Sequence, residues 1–152
     1  MPEVAYTAGI LDGEGSIEIR RHMGRRRAPF NYDLRVRFSN TYRELLSIIG
    51  EDYTGSITER RRTNRRIDYQ LTIVGHEAVR LIRDTLPFLR VKKEQAHLAL
   101  KLPRTPPGRI MSPEMLKMQT ALYEKMKVLN RKGPRVAQLN MDLGEDPQLR
   151  LL

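Results

Sequence analysis

Three stretches of this chain alternate apolar and polar residues with a period of two, and with a fourth, more polar stretch they form two pairs. The first is SIEIRRHM, residues 16–23, where Ile17 and Ile19 point one way and Glu18, Arg20 and His22 the other. Its mate is YDLRVRFS, where Leu34, Val36 and Phe38 oppose Asp33, Arg35 and Arg37. The second pair is GSITERRR and RRIDYQLTIV, separated by Thr63 and Asn64. In the latter strand Ile67, Tyr69, Leu71 and Ile73 share a face, opposite Arg66, Asp68, Gln70 and Thr72. Such alternation predicts half-buried strands, and the short links predict two antiparallel hairpins.

Helical segments separate the pairs. EVAYTAGILD predicts a helix from Glu3 to about Asp12. TYRELLSII predicts another over about 41–49, stopped by Gly50. GHEAVRLIRDTLPFL turns helical, with Val79, Ile82 and Leu86 on one side and Pro87 interrupting it; a further helix starts near Lys93. PRTPPGRIMSP is a loop by composition, and Ser112 followed by Pro113 makes a good helix start. Met115, Met118, Leu122, Met126 and Leu129 then recur at helical steps and predict packing rather than a cofactor site. The fold class is therefore α+β in the order αββαββα, with a four-stranded antiparallel sheet and C-terminal helices. With 152 residues, the chain reads as one domain, a core over about 3–102 and a helical extension over about 103–152.

Charge narrows the function. The formal net charge is +10, and 21 of the 28 basic residues are Arg. Between Ser16 and Arg66, 13 Arg stand against 6 Asp and Glu. Arg presents a planar fork that suits phosphates and guanine edges, and a two-stranded ribbon fits the major groove. Nucleic acid is the expected partner, with strong salt dependence: about 8 phosphate contacts would give a log–log slope of about −7. No long apolar run and no signal pattern is present, which predicts a soluble intracellular protein, prokaryotic or organellar, with no membrane partner. Cys is absent, and His22, His76 and His97 are scattered, so neither disulfides nor a zinc site is expected.

The stretch AGILDGEGSI places Asp12 and Glu14 two residues apart at the end of the first helix, with Gly13 and Gly15 interleaved. A carboxylate there faces the negative end of the helix dipole, at a cost of a few tenths to about 1 kcal/mol. Such a pair is either a solvated turn or a site for a hard divalent cation, to which the Gly13 carbonyl could add an oxygen. Ala8 and Gly9 either reflect tolerated imperfection or let another backbone approach.

TAGILDGEG, Thr7 to Gly15, resembles the signature of the LAGLIDADG homing endonucleases, with Thr7 in place of the leading Leu and Glu14 in place of the usual Asp. FSNTYRELL is similar to that family's strand-to-helix junction, and LPFLRVKKEQA to the stretch carrying an active-site Lys. The resemblance covers roughly residues 4–102 and one copy of the motif. It implies a homodimer through the residue 3–12 helix, with Ala8 and Gly9 at the contact. It implies a DNA endonuclease, a phosphodiester hydrolase that makes a double-strand break in a long, roughly palindromic target and is encoded within an intron. Glu14 with Gly13 would hold Mg²⁺, Asn40 and Lys92 would join Glu14 in catalysis, and Asp12 and Arg43 would support them from behind. Base readout falls to Glu18, Arg20, His22, Asp33, Arg35, Arg37, Thr58, Arg60, Arg66, Asp68, Gln70 and Thr72. Arg25, Arg26, Arg27, Arg61, Arg62 and Arg65 are expected on phosphates or outer bases. The alternatives are a non-catalytic DNA-binding regulator of the same fold and an RNA-binding splicing helper; few aromatics are available for base stacking, which disfavours the latter.

Overall fold

The computed structural model describes residues 3–24, 30–64, 66–104 and 111–131. Pro2, Arg25, Arg26, Arg27, Arg65, most of the PRTPPGRIMSP loop and the tail beyond Arg131 lie outside them. The elements run α1 (Val4–Glu14), β1 (Gly15–Met23), β2 (Phe30–Asn40), α2 (Arg43–Tyr53), β3 (Ser56–Arg61), β4 (Ile67–Val74), α3 (Gly75–Thr85), a single 3₁₀ turn (Leu86–Phe88), α4 (Lys93–Leu100) and α5 (Pro113–Leu129).

Both hairpins form, and β2 pairs with β4 to fuse them into one antiparallel sheet of order β1-β2-β4-β3. The register sets Ile17 opposite Val36, Val36 opposite Ile73 and Leu71 opposite both Phe38 and Ile57. One sheet face is thus continuously apolar. Leu46 and Ile49 of α2, Leu81 and Ile82 of α3 and Leu11 of α1 join it in a single core. Burying each such side chain contributes about 1.5–3 kcal/mol.

Several local readings are corrected by this packing. Gly50 does not stop α2, which continues to Tyr53. It is a contact point instead: a Cβ there would sit 3.1 Å from Leu71 Cδ1. The helix ends at Thr54, whose φ of 44° is left-handed. Helix α1 likewise runs past Asp12 through Gly13 and Glu14. Ile67 points to the expected face but is exposed near the end of its hairpin, and Met118 is exposed on α5.

Helix α5 is part of the core. Ser112 caps it by accepting a hydrogen bond from the Met115 N–H at 3.2 Å, with Pro113 in the first turn. Leu122 and Met126 are buried with the sheet residues. The Arg21 guanidinium lies 4.6 Å from the Phe30 ring centre and 4.9 Å from that of Tyr123, joining α5 to the first hairpin. Asn130 donates to the Ile17 carbonyl at 2.8 Å, satisfying an acceptor on the edge strand β1.

Candidate active site

The end of α1 runs into β1 with no intervening loop. Gly15 makes this possible: a Cβ there would come within 2.5 Å of Leu11 Cδ1 and 2.8 Å of the Leu11 carbonyl oxygen. The backbone folds back so tightly that only hydrogen fits. The two carboxylates just before it fare differently.

Asp12 turns toward the start of α4. Its carboxylate accepts hydrogen bonds from the backbone N–H groups of Arg90 at 2.8 Å, Val91 at 3.2 Å and Lys92 at 2.9 Å. The Lys92 ammonium donates to the Asp12 carbonyl. Burial alone would raise this carboxyl's pKa, but the three N–H donors and the Lys92 charge pull it below its ordinary 3.8. Asp12 is therefore an anchor that ties α1 to the segment carrying Lys92.

Glu14 is exposed. Its Oε2 accepts a hydrogen bond from Asn40 Nδ2 at 2.7 Å. Asn40 is itself held, because its Oδ1 accepts from the Tyr42 N–H at 2.8 Å at the entrance to α2. Gly13 is also exposed, and its carbonyl is among the last four of the helix, which lack intrahelical donors. Glu14, Gly13 and Lys92 line one open groove with Ser39, Gln70 and Gln95. Arg43 is placed apart: its guanidinium reaches Ser47 on its own helix, at 3.5 Å, and does not line the groove.

The groove extends over the outer sheet face. Among the described residues it is lined by nine cationic side chains, Arg20, Arg21, Arg35, Arg37, Arg60, Arg62, Lys92, Lys127 and Arg131, against the carboxylates of Glu14 and Glu18. Such a surface suits a polyanion. Cross-strand ion pairs organise it. Glu18 takes Arg35 at 2.7 Å and also Arg37; Arg20 meets Asp33 at 2.6 Å; Arg60 and Arg62 meet Asp68 at 2.9 Å and 3.0 Å. Thr58, Arg66 and Thr72 stand outside the groove, and His22 lines a separate cleft with Asn31, Asp33 and Arg104.

Sequence reading missed Ser39, whose hydroxyl accepts from Arg60 at 3.1 Å, and the groove residues of α5, Tyr123, Lys127, Asn130 and Arg131. The four-residue step from Tyr123 to Lys127 is visible in the sequence, but nothing local says that this face of α5 meets β1. Ala8 also departs from expectation. It has no exposed surface and packs into the chain's own core, so it is not available to a second copy. Gly9 is exposed, with open space where a side chain would stand.

No protein-family model matches the chain, and no curated protein matches it by sequence. Solved structures do match. The homing endonuclease I-CvuI in complex with its target superposes with a TM-score of 0.69 at 20% identity, over 93% of this chain and 94% of that one. The archaeal intron-encoded homing endonuclease I-Vdi141I complexed with DNA gives 0.69 at 20% identity, over 86% and 85%. The LAGLIDADG homing endonuclease I-SmaMI bound to cleaved DNA gives 0.61 at 15% identity, over 86% of this chain but 45% of that one. The chain has the LAGLIDADG homing endonuclease fold.

Proposed function

We propose that this chain, which has the fold of the LAGLIDADG homing endonucleases, is a site-specific endonuclease that hydrolyses phosphodiester bonds in double-stranded DNA. The observation that carries this reading is that an exposed Glu14, oriented by Asn40, lines the same arginine-rich groove as Lys92. A phosphate drawn into that groove has both a carboxylate and an ammonium in its walls.

The donor set fits a hard divalent cation such as Mg²⁺. Glu14 offers a carboxylate and Gly13 a carbonyl, both oxygen ligands of the kind Mg²⁺ takes. Among the described residues no group of three acids or histidines forms a complete cage, so remaining positions fall to water, phosphate or a second copy. When bound, the cation supplies charge stabilisation and an activated water. The protein does the positioning. Asn40 fixes the Glu14 carboxylate, Asp12 fixes the Lys92 backbone, and the Lys92 ammonium holds negative charge on the reacting phosphate.

A homodimer through α1 completes the proposal. One side of the helix packs Thr7, Ala8 and Leu11 into the core, while Ala5, Tyr6 and Gly9 remain exposed on another. A helix apolar on both sides asks for a partner on each. Packing two copies there would bring two Glu14 residues together, one for each DNA strand, on a long and roughly palindromic target. Intron encoding, as in the archaeal I-Vdi141I, is the matching genetic context.

The test is cleavage of a supercoiled plasmid library carrying randomised inserts. Site-specific linearisation in Mg²⁺, abolished by chelation and by Glu14→Gln while duplex binding persists, is the expected result. Specific duplex retention without cutting under any divalent cation would replace this reading with a DNA-binding regulator. Retention of folded RNA alone would replace it with a splicing helper.

A further inference from the structure

The arginines of the outer sheet face share one geometry. Arg20, Arg35, Arg37, Arg60 and Arg62 each donate through Nε and Nη2 to a carboxylate. That is the side edge of the guanidinium. In none of the five does Nη1 donate to a described residue, so in Arg20, Arg35, Arg37 and Arg62 the end edge, formed by Nη1 and Nη2, keeps both donors for a ligand, while in Arg60 the second Nη2 hydrogen goes to the Ser39 hydroxyl and Nη1 alone is left.

Three carboxylates create this arrangement. Glu18 sits directly across from Arg35, Asp33 across from Arg20, and Asp68 across from Arg60. The Glu18 oxygens are fully engaged: Oε2 accepts from Arg35, and Oε1 accepts from Arg37 and from the Ser16 hydroxyl at 3.0 Å. Asp68 is only 8% exposed beneath its two arginines. Burial pushes both carboxyls up, but the guanidinium hydrogen bonds more than offset it and hold them below their ordinary values. These acids remain ionised across the neutral range. They have little capacity left to accept from a cytosine amine.

Resting on the DNA-binding reading above, we infer that Glu18, Asp33 and Asp68 are positioning residues rather than base readers. They hold four guanidinium groups, those of Arg20, Arg35, Arg37 and Arg62, with the two-donor end edge presented for guanine O6 and N7. The acids set specificity in two ways. An anchored arginine has little freedom to swing onto whichever phosphate is near, so binding to arbitrary duplex is weakened. The same anchoring lowers the ordering cost of a bidentate guanine contact. The expected target is guanine-rich where β1 and β2 meet the major groove.

The experiment is selection from a randomised duplex library with the full chain, paired with salt titration of binding to an arbitrary duplex. Wild type should enrich a motif with guanines. Glu18→Gln should tighten arbitrary-duplex binding and steepen its salt slope by roughly one to two, as Arg35 and Arg37 reach phosphates. It should also flatten the guanine preference at the positions they read. A purely structural role would lower stability without moving slope or motif. Arg35→Lys, which keeps the charge opposite Glu18 but loses the fork, tests the same idea without removing the acid. It should lose guanine preference at one position of each half-site by about tenfold. An enriched motif and a slope identical to wild type in both variants would overturn the inference while leaving DNA binding intact. Failure of wild type to enrich any duplex would overturn both.

Discussion

The end of α1 and the outer sheet face are built from the same ingredients, carboxylates beside basic groups, and use them in opposite ways. At the helix end one acid is consumed and the other is left available: Asp12 accepts three backbone N–H groups, while Glu14 accepts from Asn40 and stands exposed. On the sheet the acids are consumed so that the arginines stay available. Under the proposed function, chemistry at the first place needs an oxygen donor open to a cation, and recognition at the second needs nitrogen donors open to base edges. Which partner is tied down tells which one is meant to act.

That contrast can be broken experimentally. Its largest expected effect is on rate. Glu14→Gln should reduce cleavage by about a thousandfold in single-turnover assays, with an unfolding curve matching wild type, because the side chain is exposed. Equal loss of stability would show that Glu14 is as structural as its neighbour. Asp12→Asn should do the reverse, costing about 1–3 kcal/mol in urea unfolding through the N–H groups it leaves poorly satisfied.

The pH dependence sharpens the same point. Asp12 has a folded pKa depressed below 3.8, so its contribution is full above that value. It disappears as the pH falls through the lower folded pKa. Thermal melts of wild type should therefore converge on those of Asp12→Asn in acid, and a constant gap down to about pH 2 would refute the anchoring role.

The smallest effects separate the two glycines of the motif. Gly15→Ala meets the Leu11 backbone and should destabilise by about 1–3 kcal/mol. Gly13→Ala meets nothing within 4 Å and lies inside the helix, so it should stabilise by about 0.5–1 kcal/mol. Calorimetry of the pair reads both signs directly.

Much of this was legible in the residues, and the failures share a cause. Period-two alternation located β1, β2 and β4 and their buried faces, because each of these strands records in its own sequence which side meets the core, whereas β3, with no buried residue, was legible only as the partner across a short turn. Ser112-Pro113 announced α5 for the same local reason. The arginine–acid pairs were not legible, because alternation fixes a face but not a register, and pairing Glu18 with Arg35 needs the register. Asp12 could not be matched to Arg90, Val91 and Lys92 because the partners lie 78 to 80 positions away. Gly50 looked like a stop because glycine often is one; the neighbour it packs closely against, Leu71, belongs to another element. Ala8 looked like an interface residue because the motif suggested one, while only the fold reveals that its side of the helix is already occupied.

The loop-free junction at Gly15 has a mechanical meaning. Glu14 and the first residue of the sheet are joined by a single peptide bond, and Asn40, closing the far end of β2, clasps Glu14 from the second strand. Blade and ruler are thus one piece. Under the proposed activity, changing the arginines alters which sequence is grasped, but the distance from the grasped bases to the scissile bond is set by the backbone and travels unchanged from one target to the next.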